Sequence, residues 1–86
     1  MPCVYILRCR DGSLYTGVAK DLARRLAQHA SGRASRYTRS RLPVVLAWAV
    51  EIEGWGAALR EEHRIKKLTR EAKEELVLTG QVPEWR

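Results

Sequence analysis

Leu14-Tyr15-Thr16-Gly17-Val18-Ala19-Lys20-Asp21-Leu22-Ala23-Arg24-Arg25-Leu26-Ala27-Gln28-His29 runs from a short strand into a helix, and gathers a phenol, a glycine suited to close approach, an arginine and a histidine in a small space. Leu14 to Val18 reads as the strand. Asp21 is a good N-cap, because its carboxylate accepts from the free N–H groups of a first turn. The helix it opens is expected to reach about Ser31, with Gly32 as terminator. Leu22, Leu26 and Ala30 make its buried stripe, while Arg25 and His29, four apart, share a neighbouring face.

Upstream, Val4 to Cys9 reads as a strand that pairs back on Leu14 to Val18 as a β-hairpin. Loop length decides which side chains share a face. A two-residue turn at Asp11-Gly12 puts Tyr5 and Tyr15 on opposite faces. A three-residue loop, Arg10-Asp11-Gly12 with Gly12 left-handed in a bulge, pairs Cys9 with Ser13 and Leu7 with Tyr15. That register sets Tyr5, Leu7, Tyr15 and Gly17 on one face and Val4, Ile6, Leu14 and Val18 on the other, and it is preferred.

Downstream, Arg33 to Arg41 has no apolar period and reads as a basic loop closed by Pro43. Its plain reading is a solvated surface loop, but four arginines around Tyr37 favour phosphate contact. Val44 to Ile52 alternates, so a third strand is expected with Val44, Leu46, Trp48, Val50 and Ile52 on one face. Gly54-Trp55-Gly56 turns the chain into a helix from about Ala57 to Leu68. Thr69 caps another from Arg70 to Leu78, with Glu71 favourably placed in its first turn and Gly80 at its end. The expectation is one α+β (α/β) domain over residues 1–86, a three-stranded antiparallel sheet flanked by three helices in the order β-β-α-β-α-α.

Eighty-six residues make one small domain, and such a domain buries only roughly 60 to 65% of its unfolded surface. A cofactor-sized cavity is not expected. No apolar run approaches the roughly 20 residues of a membrane span and Met1-Pro2-Cys3 leads straight into a strand, so a cytoplasmic protein with no membrane contact is expected. Cys3 and Cys9 are too few for a structural zinc site and too far apart along one strand for a disulfide. The net charge of +6 favours a polyanionic partner, and its distribution says more. Lys20, Arg24, Arg25, Arg33, Arg36, Arg39 and Arg41 face the single acid Asp21 in that stretch, whereas from Glu51 onward the signs are mixed. Lys20, Arg24, Arg33, Arg36, Tyr37, Arg39 and Arg41 are the expected nucleic-acid contacts.

Trp55, Ala58, Leu59 and Ile65 make an apolar stripe with Glu62 in its middle. A desolvated carboxylate must be paired, protonated or bound to a cation. The alternative is an ordinary Glu62–Lys66 pair at the stripe's exposed end, worth about 0.3 to 0.5 kcal/mol. Taken singly, Tyr5 and Tyr15 read as packing residues, His29 as a helix-end cation and Arg25 as a solvated side chain. Together they suit phosphodiester hydrolysis. A metal neutralises a phosphate oxygen, an arginine stabilises developing charge, and a phenol of lowered pKa takes a proton from water.

Cys3-Val4-Tyr5 and Tyr15-Thr16-Gly17 resemble the two tripeptides of the GIY-YIG nuclease domain, and Arg25, His29 and Glu62 stand where that family places its arginine, histidine and metal-binding glutamate. Ala34, Tyr37-Thr38-Arg39, Pro43-Val44, Ile65-Lys66, Arg70 and Lys73 look most like the small stand-alone bacterial members, which are also similar to the nuclease domain of structure-specific endonucleases. Cys3 and Val4 depart from the family's glycine and isoleucine but leave the tyrosine in place. The resemblance implies a metal-dependent DNA endonuclease, structure-specific in repair or recombination, with one Mg2+ or Mn2+ ion on Glu62. It implies Tyr5 as general base, hydrogen-bonded to Tyr15 or His29, and Arg25 on the scissile phosphate. With one domain expected, a protein partner or a homodimer is expected to help place it on DNA. The rival readings are a non-catalytic nucleic-acid-binding module and a nuclease subunit inert without its partner.

Overall fold

The computed structural model of the chain describes residues 1–80. Strands β1 (Cys3–Arg8), β2 (Leu14–Ala19) and β3 (Val45–Glu51) form an antiparallel sheet in the order β2-β1-β3. Helices α1 (Leu22–Ala30), α3 (Trp55–Lys66) and α4 (Arg70–Thr79) flank it, in the expected β-β-α-β-α-α order. A single-turn helix, α2 (Arg36–Arg39), lies within the segment read as a loop. No helix among the described residues is long and apolar enough to cross a membrane.

The hairpin adopts the three-residue loop. Cys9 N–H donates to the Ser13 carbonyl at 2.9 Å, Gly12 takes φ +86°, and Leu7 pairs with Tyr15 while Tyr5 pairs with Gly17. One sheet face therefore carries Tyr5, Leu7 and Tyr15 under Leu22 and Leu26 of α1. The other carries Val4 and Ile6 under Ala58 and Ile65 of α3, with Leu76 and Val77 of α4 at its margin.

The third strand departs from its expected single face. Ile6 pairs with Trp48 but Leu7 with Leu46, so Ala47 is an extra residue in a bulge. One inserted residue exchanges the faces of everything beyond it. Val44 and Leu46 consequently pack with the α1 cluster, while Trp48, Val50 and Ile52 pack with the α3 cluster.

The helix ends follow local chemistry. The Asp21 carboxylate accepts from the Arg24 N–H and the Thr69 hydroxyl from the Ala72 N–H. Ser31 closes α1 before Gly32 at φ +78°, and Gly80 follows α4. On α1 the buried stripe is Leu22, Leu26 and His29 rather than Ala30, which is exposed; a step of seven from Leu22 returns to the sheet where a step of eight overshoots it. On α3, Ala58 and Ile65 are buried but Trp55 and Leu59 are exposed, so the stripe is narrower than expected. No α4 residue is fully buried, and the Arg8 guanidinium grips the Glu74 carboxylate at 2.6 Å. Half-exposed ion pairs contribute at most about 1 kcal/mol, so apolar contact holds α4 and the pair orients it.

Candidate active site

β2 is an edge strand, and Gly17 on it is the place over which the Tyr5 ring crosses. A Cβ at Gly17 would lie 2.5 Å from both Cζ and Oη of Tyr5, so only glycine admits the phenol. The ring, 1% exposed, directs its hydroxyl to His29 Nε2 at 2.8 Å. His29, itself fully buried, meets Tyr15 edge-on at 5.3 Å between ring centroids. Its Nδ1 lies 2.9 Å from Thr38 Oγ1, which α2 turns inward.

The order of donors in this chain follows from its last member. The Thr38 hydroxyl has the Ser35 carbonyl, which can only accept, at 3.4 Å, a long contact; with its proton turned there, the Thr38 oxygen receives its hydrogen bond from His29 Nδ1–H. That leaves Nε2 bare and the Tyr5 O–H donating to it. Of the two partners the sequence offered Tyr5, His29 is the one bonded and Tyr15 packs beside it.

The expected phenol of lowered pKa is not what the fold provides. Burial, followed by the neighbouring Tyr15, pushes the Tyr5 phenol well above the usual tyrosine range; Arg25 pulls it down and the Glu62 charge pushes it up again. Tyr5 thus keeps its proton at neutral pH. Burial, assisted by the Arg25 charge, lowers the His29 pKa and keeps the imidazole neutral. A depressed folded-state pKa means that the unfolded chain binds a proton the native one refuses once pH falls below the ordinary histidine value of about 6.5. The His29 contribution to stability should therefore be constant above that pH and fall from there toward pH 5, before carboxylates titrate. Urea unfolding across this range checks it, and His29→Gln should flatten the slope; an equal slope in the variant would place the titration elsewhere.

α1 and α3 reach the β2 edge from opposite faces of the sheet, and the charges of Arg25 and Glu62 both act on the Tyr5 phenol. Glu62 lies in line between buried Ala58 and Ile65, with its side chain 18% exposed, and pairs with Lys66 at 3.3 Å. Both sequence readings of Glu62 thus hold a part: it is largely covered, and its nearest cation among the described residues is Lys66. Among the described residues no three of histidine, cysteine, aspartate and glutamate cluster as an all-protein cage. One carboxylate with open water positions is nevertheless the donor set that a hydrated Mg2+ or Mn2+ accepts when a substrate phosphate completes the shell.

The expected nucleic-acid contacts divide. Lys20 and Arg24, with the candidate catalytic Arg25, border a cavity of about 430 Å³ beside Trp55. Arg33, Arg36 and Arg39 are exposed on the α1–α2 loop and on α2. Tyr37 and Arg41 are engaged within the protein: Tyr37 stacks on Tyr15 at 6.0 Å, and the Arg41 guanidinium sits 3.8 Å from the Tyr37 ring centroid while its Nε donates to Asp11 at 3.0 Å. They brace α2 against the hairpin. The sequence reading missed Thr38. Its signal was Ser35, whose hydroxyl caps α2 by accepting from the Tyr37 N–H and so turns Thr38 inward.

Residues 1–75 match the model of the GIY-YIG catalytic domain. A UPF0213 protein of Nitratidesulfovibrio vulgaris is 52% identical over 64 residues, 74% of this chain and 58% of that protein. A UPF0213 protein of Staphylococcus saprophyticus is 40% identical over 77 residues, 90% of this chain and 94% of its own. Among solved structures, the solution NMR structure of a UPF0213 protein from Bacillus halodurans superposes with a TM-score of 0.61 at 45% identity, covering 93% of this chain and 87% of that one. With the domain match spanning most of its length and relatives that align nearly end to end, the chain belongs to the GIY-YIG catalytic domain family, a family of nucleases.

Proposed function

We propose that this protein is an endonuclease that hydrolyses DNA phosphodiester bonds with one divalent cation, Mg2+ or Mn2+, on Glu62, acting in the cytoplasm on branched or otherwise irregular DNA in repair or recombination. The observation that carries this reading is a buried phenol donating to a neutral imidazole, with a guanidinium and a carboxylate both acting on the same phenol. Packing alone gives no reason to bury a Tyr5–His29–Thr38 chain beside two opposite charges.

When bound, the cation supplies Lewis acidity at a phosphate oxygen. Arg25 binds the scissile phosphate and offsets the negative charge that grows on it during attack. Tyr5 works as a relay rather than as a phenolate. Its oxygen takes a proton from the attacking water while its own proton passes to His29 Nε2, so the imidazole, held by Thr38 at Nδ1, is the final acceptor. The raised phenol pKa then presents no obstacle, because free phenolate never accumulates. Lys20, Arg24, Arg33, Arg36 and Arg39 supply salt-sensitive phosphate contacts, and a protein partner or a second copy adds placement on the substrate.

The test is a cleavage panel. Purified protein with magnesium or manganese should nick branched, single-stranded or duplex DNA, and a chelator should stop it. Salt-sensitive binding without cutting on any of these DNAs, with either metal, would leave a nucleic-acid-binding module in place of an enzyme.

A further inference from the structure

Trp55 is the first residue of α3 and is 39% exposed, although a tryptophan has much to gain from burial and Trp48 does sit in the core. Its ring forms one wall of the cavity bordered by Lys20, Arg24, Arg25 and Gln28. Lys20 Nζ lies 5.0 Å over the ring centroid, so a π face of Trp55 is turned toward the basic side. Asp21, the acid on the rim, is occupied in capping α1. At about 430 Å³ the space falls within the range of small-ligand sites. Arg25 lines this cavity and is the residue that binds the scissile phosphate in the proposed reaction, so whatever fills the cavity lies beside that phosphate.

We propose that this cavity is a subsite for one unpaired nucleotide next to the scissile phosphate, its base stacked on Trp55, its phosphate held by Lys20 and Arg24, and its base edge met by the Gln28 amide. The assignment rests on the nuclease reading and names its substrate class. A paired base has both faces covered by its neighbours, so only a nucleotide from a single strand, a branch or a frayed end can lie on the indole. Stacking of a base on an aromatic side chain is stronger than an exposed contact between lysine and that ring, so Lys20 gives way to the base and keeps the phosphate. Gln28 presents a donor and an acceptor together, the pair that a Watson–Crick edge left open can use.

The experiment compares a labelled single-stranded oligothymidylate with a blunt duplex of equal length by fluorescence anisotropy, with a chelator present so that the DNA stays intact. Trp55→Ala should weaken single-strand binding by about 5- to 150-fold, the range for losing one stacked base, and duplex binding by less than about twofold. Trp55→Phe, which keeps an aromatic face, should recover most of the loss and shows that the alanine effect is not unfolding. Equal weakening on both DNAs, or none on either, overturns the subsite. Should no variant cut DNA with any metal while the single-strand preference still depends on Trp55, the subsite stands and the nuclease reading falls. Cutting without that dependence leaves the nuclease and removes the subsite.

Discussion

Glu62→Gln should lower metal-supported cutting by on the order of 10³-fold, equivalent to about 4 kcal/mol of lost transition-state stabilisation, while leaving the fold almost unchanged. The reasoning rests on comparing two small sets of interactions. In the protein alone, Glu62 makes one pair with Lys66 at 3.3 Å, on a lysine that is half exposed. An i, i+4 pair of this kind is worth about 0.3 to 0.5 kcal/mol, and glutamine fills the same space between Ala58 and Ile65. Denaturation midpoints should therefore barely move. In the reaction, glutamine's neutral amide is a poor ligand for a hard dication, and no other acid among those acting on Tyr5 stands ready to replace the carboxylate. Binding to DNA, measured by anisotropy in a chelator, should persist and remain salt-sensitive because the arginines are untouched. Cutting within tenfold of the parent would show that the ion is held elsewhere. Loss of cutting together with a large fall in stability would show a structural acid instead.

Much of this arrangement was legible in the chain because it depends on local chemistry. Gly12, placed to take the left-handed position of a three-residue loop, fixes a register in which Tyr5, Tyr15 and Gly17 share a face, and that register is the observed one. Asp21 and Thr69 start helices because their side-chain oxygens meet orphan N–H groups, which needs no tertiary information. What stayed hidden depends on three-dimensional neighbours. Val44 to Ile52 alternates without a break straight through the bulge at Ala47, so nothing in its pattern announces that Leu46 and Trp48 part company across the sheet. Thr38 lies in a stretch without apolar period and becomes a partner of His29 only once α2 forms. The direction of the Tyr5 shift was misread for the same reason: the charge of Arg25 can be read from a sequence, but the burial that outweighs it cannot. Trp55 was read into a core stripe because periodicity records spacing and not how wide a face the sheet can cover.

Gly17→Ala should remove activity and stability together. An added Cβ meets Tyr5 Cζ and Oη at 2.5 Å, well inside contact distance, and the ring has nowhere to retreat because it is 1% exposed beneath α1. Displacing it costs about 1 to 3 kcal/mol in overpacking. It also parts the 2.8 Å bond to His29 and strands a buried acceptor at about 1 to 3 kcal/mol. The ordinary gain from glycine to alanine in a strand, about 0.5 to 1 kcal/mol, does not offset these. A net loss of about 2 to 4 kcal/mol in a domain of this size should lower the melting temperature by roughly 10 to 25 °C. Cutting at a temperature where the variant is still folded should fall by about 10²- to 10⁴-fold, the usual worth of a positioned proton acceptor. Tyr5→Phe should lose as much activity with a smaller loss of stability, since it strands Nε2 without crowding the strand. If phenol and glycine serve one relay, the double variant Gly17→Ala/Tyr5→Phe should cut no more slowly than the worse single variant. Losses that instead multiply would separate the glycine's role from the tyrosine's, and a Gly17→Ala protein with parental melting and cutting would mean that the Tyr5 ring does not need that crossing point at all.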